Sequence, residues 1–210
     1  MIALALDLEL RLRSAVTLDD VMRALWERHG QTGLGVPEAG VQAIAAELSG
    51  LDLGAFFRDY VHGTVELPLP SLLGEFGIGW NLRPTANAKD KGGAPARDPA
   101  PRVWLGATLA ESTDLRLKHL IPDGPAALAG LASGDAIVAI DGLRATADGL
   151  ERLVRTRNAG DVVEIHAFRR DELMSFSIEL AAARNDTCWL TLAEAAGPEV
   201  ASRRAAWLGA

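Results

Sequence analysis

The sequence predicts an α+β protein in which an N-terminal α-helical segment is followed by a small, partly open β-barrel carrying two helices. Three features lead there. Apolar residues recur at helical spacing through positions 1–65, and a stretch rich in proline, glycine and alanine interrupts that pattern at positions 83–101. Beyond it, short apolar or alternating runs are separated by turn residues, as strands are.

The first run, positions 2–13, is apolar with its charges late, as expected of a helix whose start is buried or whose beginning lies upstream. Thr17 before Leu18, Asp19 and Asp20 has the form of an N-cap with acidic residues in the first turn. Leu18, Val21, Met22 and Leu25 then recur at helical spacing until Gly30 stops them. A third helix is expected after Pro37, with Val41, Ile44, Ala45 and Leu48 on one face and Ser49-Gly50 ending it. Positions 53–61 give a fourth, short and aromatic through Phe56, Phe57 and Tyr60. Leu67-Pro68-Leu69-Pro70 cannot continue a helix, because each proline removes a donor and restricts the residue before it. Positions 76–82 alternate weakly, as a strand would. The expected division is a helical segment over 1–75, a strand and then a mobile linker or long loop over 76–102, the barrel over 103–182, and a tail over 183–210 that is irregular and then helical.

Within the barrel, positions 104–109 are apolar, 115–120 alternate with period two, and 136–140 form a continuous apolar run. Asp141-Gly142 supplies a turn that tolerates positive φ. Thr146 can cap a helix that brings Leu150, Leu153 and Val154 to one side. Positions 162–168 and 173–180 are two further strands, joined through Arg169-Arg170-Asp171-Glu172.

With 210 residues, 49% hydrophobic and 23% charged, the chain can bury a core and fits two modest domains. A net charge of -7 provides no basic field, so neither nucleic acid nor a membrane surface is expected as a partner. The single cysteine, Cys188, rules out an internal disulfide and a cysteine-based zinc cluster.

The most specific signal runs from Ile121-Pro122-Asp123-Gly124-Pro125-Ala126-Ala127-Leu128-Ala129-Gly130-Leu131 through Gly134-Asp135-Ala136-Ile137-Val138-Ala139-Ile140-Asp141-Gly142. It closely resembles the PDZ consensus of bacterial proteases. Pro125 can open a helix where no donor is missed, small Ala126, Ala127 and Ala129 allow close packing, and Gly130 can end it. The resemblance implies a carboxylate-binding loop at Trp104, Leu105, Gly106 and Ala107, with a peptide adding as a strand beside Ala107, Thr108 and Leu109. It also implies a second groove wall of Ala147, Glu151 and Val154, if Leu150 and Leu153 face the core. The partners so implied are peptides or protein C-termini.

A second resemblance lies in the helical half. Leu18-Asp19-Asp20-Val21-Met22-Arg23-Ala24-Leu25-Trp26, Ser49-Gly50-Leu51-Asp52-Leu53 and Phe56-Phe57-Arg58-Asp59-Tyr60-Val61-His62-Gly63-Thr64 are similar to the region after the active site in the glycyl aminopeptidase family of zinc metallopeptidases. Members of that family carry a C-terminal PDZ domain. The resemblance therefore implies a C-terminal, non-catalytic portion whose further partner is a catalytic domain absent from this chain, with zinc held in the full-length enzyme.

The chain departs from that family where chemistry would need it. No His-Glu-x-x-His is present, and His29, His62, His119 and His166 are scattered without a second His or Cys at ligand spacing. No catalytic residue and no cofactor is expected here. Ser133, Ser175 and Ser177 lack nucleophile-elbow surroundings, Cys188 has no base nearby in sequence, Asp19-Asp20 reads as a helix start, and Gly33-Leu34-Gly35 is too short for a phosphate loop. The alternative is a free-standing PDZ adaptor or scaffold. An enzyme portion should expose an apolar surface on its helices, and an adaptor should not.

Overall fold

A computed structural model describes residues 1–87, 90–95, 100–110, 114–194 and 196–209. They divide into two compact units, Met1–Trp80 with Leu190–Ala210, and Asn81–Trp189.

The first unit begins with α1 (Ile2–Arg13) and α2 (Leu18–Leu25), which runs on into a π-helical turn at Trp26–Gly30. α2 starts where Thr17 and Asp20 cap each other: Asp20 N–H donates to the Thr17 hydroxyl, and Thr17 N–H donates to the Asp20 carboxylate at 2.9 Å. Asp7 fixes the corner, accepting from Arg11 within α1 and from the Leu18 N–H, each at 2.9 Å. α3 (Gly40–Ser49) ends at Gly50, whose left-handed backbone returns an N–H to Ala46. α4 (Gly54–Phe56) continues as a second π-helical turn, Phe57–Val61, that stacks Phe56 edge-on against Phe57 and Tyr60. No helix runs on through the proline stretch, as expected, but α5 (Leu69–Gly74) starts within it. Pro70 sits in its first turn, where a missing N–H breaks no helical bond. Leu8, Leu10, Val21, Leu53, Leu73 and Phe76 fill the core that these helices share.

β1 (Ile78–Arg83) follows, and the boundary between the units falls inside it. In the stretch expected as a linker, the Asp90 carboxylate takes two bonds from the Arg83 guanidinium and one each from the Ala86 and Gly92 amides. These donors hold the Asp90 carboxyl well below the usual carboxylate range. The described part of the stretch is thus a hydrogen-bonded loop.

The second unit contains β2 (Val103–Trp104), β3 (Ala107–Leu109), β4 (Leu115–Leu120), α6 (Pro125–Leu128), β5 (Ala136–Ile140), β6 (Leu143–Arg144), α7 (Ala147–Thr156), β7 (Val162–Arg169), β8 (Glu172–Glu179) and β9 (Ala181–Ala182). The main sheet has the order β3-β4-β5-β7-β8, with β6 on β5 and β2 paired separately with β9. All these pairings are antiparallel. The sheet does not close on itself, so β3 and β8 are its two edges. This is the expected α+β architecture: helices, then a PDZ-like, partly open barrel with two helices. Its core is Val163, Ile165 and Ala167 of β7 with Phe176 and Ile178 of β8, Leu117, Ile137 and Leu153.

Asp135 is buried (1% exposed) in this layer and accepts from Arg169 at 2.8 and 2.9 Å and from Ala132 N–H at 2.8 Å. Burial alone would raise its pKa, but these hydrogen bonds outweigh that effect and hold it below the ordinary value.

The chain closes with β10 (Thr187–Leu192), which pairs with β1, and α8 (Pro198–Leu208). A strand therefore stands where the tail was expected to be irregular. α8 belongs to the first unit, where the Trp207 ring lies 5.2 Å from that of Phe76.

Candidate peptide-binding groove

The apolar run over positions 104–109 is broken into β2 and β3 at Leu105 and Gly106, within the stretch expected as the carboxylate-binding loop. Gly106 is the cause, with φ +76, a conformation that side-chain-bearing residues rarely adopt. It also lies so close to Gly124 that an added Cβ would come within 2.9 Å of the Gly124 Cα. The loop is pinned from behind by its carbonyls. Leu105 C=O accepts from Ala126 N–H, and Gly106 C=O from Ile121 N–H, each at 2.8 Å.

Its amides are used differently. Among the described residues, the N–H groups of Leu105 and Gly106 donate to nothing. Two free, consecutive N–H groups at a left-handed turn form a concavity suited to an anion. The Leu105 side chain itself is buried in the core, so only its backbone can serve a ligand. Directly after this turn, β3 pairs with β4 on one side only, with Ala107 opposite Leu120 and Thr108 opposite His119. Among the described residues, no strand pairs with the other edge of Ala107, Thr108 and Leu109.

The helix expected as the second wall, α7, begins at Thr146, whose hydroxyl accepts from Gly149 N–H at 3.0 Å. Its far end is tied to the segment leading into β2, where Arg102 N–H donates to Val154 C=O at 2.8 Å. Ala147 and Glu151 are exposed, and Glu151 pairs with Arg155 one turn on. Val154 fits the expected facing less well. Leu153 is buried, and Leu150 and Val154 are both half-buried against the same core, so Val154 shares the core-facing stripe.

Trp104 departs from the expected groove as well. Its ring turns to the α6 side of the loop, against Gly124, and the Arg184 guanidinium lies 4.5 Å above it. A groove of about 560 Å³ opens there, bounded by Trp104, Pro125 and Leu128 on one side and Ser177 and Glu179 on the other. Sequence reasoning missed it, because Arg184 and Glu179 carry no pattern that links them to Trp104.

No cluster of three or more His, Cys, Asp or Glu side chains that could hold a metal is present among the described residues. Among the described residues, no helix is long and apolar enough to cross a membrane.

Comparison with solved structures finds similarity over nearly the whole chain. An aminopeptidase N family protein from Idiomarina loihiensis superposes with a TM-score of 0.87 at 33% identity, covering 99% of this chain. This chain spans 35% of that one. Smaller matches include the HtrA-type protease AlgW with a decapeptide, at 23% identity over 40% of this chain and 30% of that one with a TM-score of 0.38. The HtrA3 PDZ domain bound to a phage-derived ligand matches at 19% identity over 39% of this chain and 88% of that one, with a TM-score of 0.34. No protein-family model and no curated protein matches.

Proposed function

We propose that this chain, which over nearly its whole length resembles the C-terminal portion of an aminopeptidase N family protein, is a non-catalytic, peptide-handling part of such a peptidase. The observation that carries the reading is the loop of Leu105 and Gly106, which offers two free N–H groups at the head of the open-edged strand β3. An extended peptide can pair with that edge while its terminal carboxylate accepts from the two amides. Ala147 and Glu151 of α7 supply the opposite wall, and Val154 supplies its floor.

The same reading makes a catalytic domain the second partner. Support comes from the helical unit, where Met22 and Trp26 stand exposed side by side in a shallow hollow, Trp26 at 60%. An apolar surface of that kind favours an enzyme portion over a free-standing adaptor. Elemental analysis of the isolated chain should find no stoichiometric zinc. One zinc per chain, with peptidase activity lost on chelation, would overturn the non-catalytic reading.

Titration of the 15N-labelled chain with a short peptide ending in an apolar residue tests the groove. Binding at about micromolar level should shift the amides of Leu105, Gly106, Ala107 and Leu109 together with those of α7. Amidating the terminus removes the charged acceptor and should weaken binding by more than tenfold, since such bonds contribute about 1.5 to 3 kcal/mol. Unmoved amides at millimolar peptide would remove the proposal.

A further inference from the structure

The sheet has a second open edge, and its hydrogen-bonding groups can be assigned. Backbone N–H and C=O groups of alternate residues point to opposite sides of a strand. Leu180 directs both of its groups toward β7, donating to Asp161 C=O and accepting from Gly160 N–H, each at 2.8 Å. Ala183 points the other way, donating to Arg102 C=O at 2.9 Å. Counting back by twos, Ala181, Glu179, Ser177 and Ser175 also point outward. β2 occupies that side at Ala181 and Ala182 and then leaves at Leu105. From Glu179 backward, no outward bond forms among the described residues.

β8 carries neither a bulge nor a proline to blunt this edge. It pairs with β7 in unbroken register from Arg169 opposite Glu172 to Val162 opposite Glu179. Exposed edges usually carry such features to prevent pairing with another chain. The free stretch at Ser177 and Glu179 also lines the groove of about 560 Å³ beside α6. Apolar surface faces it from Trp104, Pro125 and Leu128, the last 74% exposed. Asp123 and Glu179 bring two carboxylates with no ion-pair partner among the described residues, while Arg184 is engaged on the Trp104 ring.

The geometry points to a second binding site, separate from the β3 groove, in which an extended peptide with alternating apolar and basic residues pairs with the outer edge of β8. Its backbone continues the ladder that β2 begins, with bonds to Ser177 and Glu179. Its apolar side chains rest on Trp104 and Leu128, and its basic side chains reach Asp123 and Glu179. No terminal carboxylate is required, which sets this site apart from the β3 groove.

The test uses the 15N-labelled full chain and the peptide acetyl-Thr-Val-Lys-Leu-Arg-Thr-amide, whose blocked ends cannot serve the carboxylate loop. Amides of Ser175, Ser177, Glu179 and Ala181 and the Trp104 indole should shift, while Thr108, Leu109 and α7 stay still. The double variant Asp123→Asn with Glu179→Gln should weaken binding about three- to tenfold, an effect that fades in high salt. Asn tolerates the left-handed backbone found at Asp123, so that variant keeps the loop. The proposal is overturned by silent amides at millimolar peptide, by shifts confined to β3 and α7, or by equal affinity for a peptide with Glu in place of Lys and Arg. It is equally overturned if sedimentation shows the chain pairing with its own copy through β8 and the peptide fails to displace it.

Discussion

At the scale of single residues, Gly106 and Asp135 separate a functional constraint from a structural one. Gly106→Ala places a methyl group against Gly124 in a left-handed turn, which should destabilise the second unit by about 1 to 2 kcal/mol. It should also abolish carboxylate binding at concentrations where the unit is still folded, as denaturation and peptide titration on one sample can show. Asp135→Ala touches no proposed ligand, yet it leaves the Arg169 guanidinium and the Ala132 N–H without their acceptor. Arg169 is 35% exposed and keeps the Gly130 carbonyl, so the loss is about 1 to 3 kcal/mol, read as a lower denaturant midpoint. Because the folded pKa of Asp135 lies below its ordinary 3.8, the charged form contributes stability that is present above about pH 4. That contribution is lost as pH falls through the lowered folded value, and acid titration of the variant should lack this component. Both residues were legible in the sequence as parts of the PDZ-like pattern. Their partners were not, since Gly124 and Arg169 meet them only through the fold.

Secondary-structure elements show why some parts of the chain could be read and others could not. β4 alternates from Leu115 to Lys118 and α7 has a cap and an apolar stripe, so local pattern and tertiary packing agree there. β10 is half-buried at its first three positions and exposed at the rest, without alternation, because it is specified by pairing with β1 rather than by a buried face. The π-helical turns at Trp26–Gly30 and Phe57–Val61 have no sequence signature, and they decide where aromatic rings point. At the first of them the Trp26 ring covers Gly30, where any Cβ would collide with it. Trp26→Ser should therefore leave the unit's stability within about 0.5 kcal/mol, as exposed positions do, while Gly30→Ala should displace the ring. Tryptophan fluorescence would report the displacement as a shifted emission maximum. On α7, Val154→Asp should lower both peptide affinity and stability, the latter by about 1 to 3 kcal/mol, since its side chain packs on the barrel core. Loss of affinity at unchanged stability would return Val154 to the groove wall.

For the whole molecule, the two cores make different demands on chain connectivity. The barrel core is built from one continuous segment, Asn81–Trp189, whereas the helical core needs both ends of the chain, since Leu190–Ala210 returns to it. In that unit Phe76 is fully buried, with the Trp207 ring against it and the Arg203 guanidinium near its face. Arg203 also donates to the Glu75 carbonyl at 2.8 Å, and Arg204 to the Gly77 carbonyl at 3.2 Å, so α8 is fastened to the same corner by polar bonds. The aromatic contact is the larger contributor, because exposed ion pairs such as Arg203 with Glu199 add little. Trp207→Ala in the full chain should destabilise the helical unit by about 1 to 3 kcal/mol, less than a fully buried tryptophan would cost because this ring is only partly covered. Hydrogen exchange decides where the loss falls: amides of α1 and α5 should exchange faster, and those of β5 and β7 should keep their protection. Equal acceleration in both sets would mean that the two cores unfold as one cooperative structure.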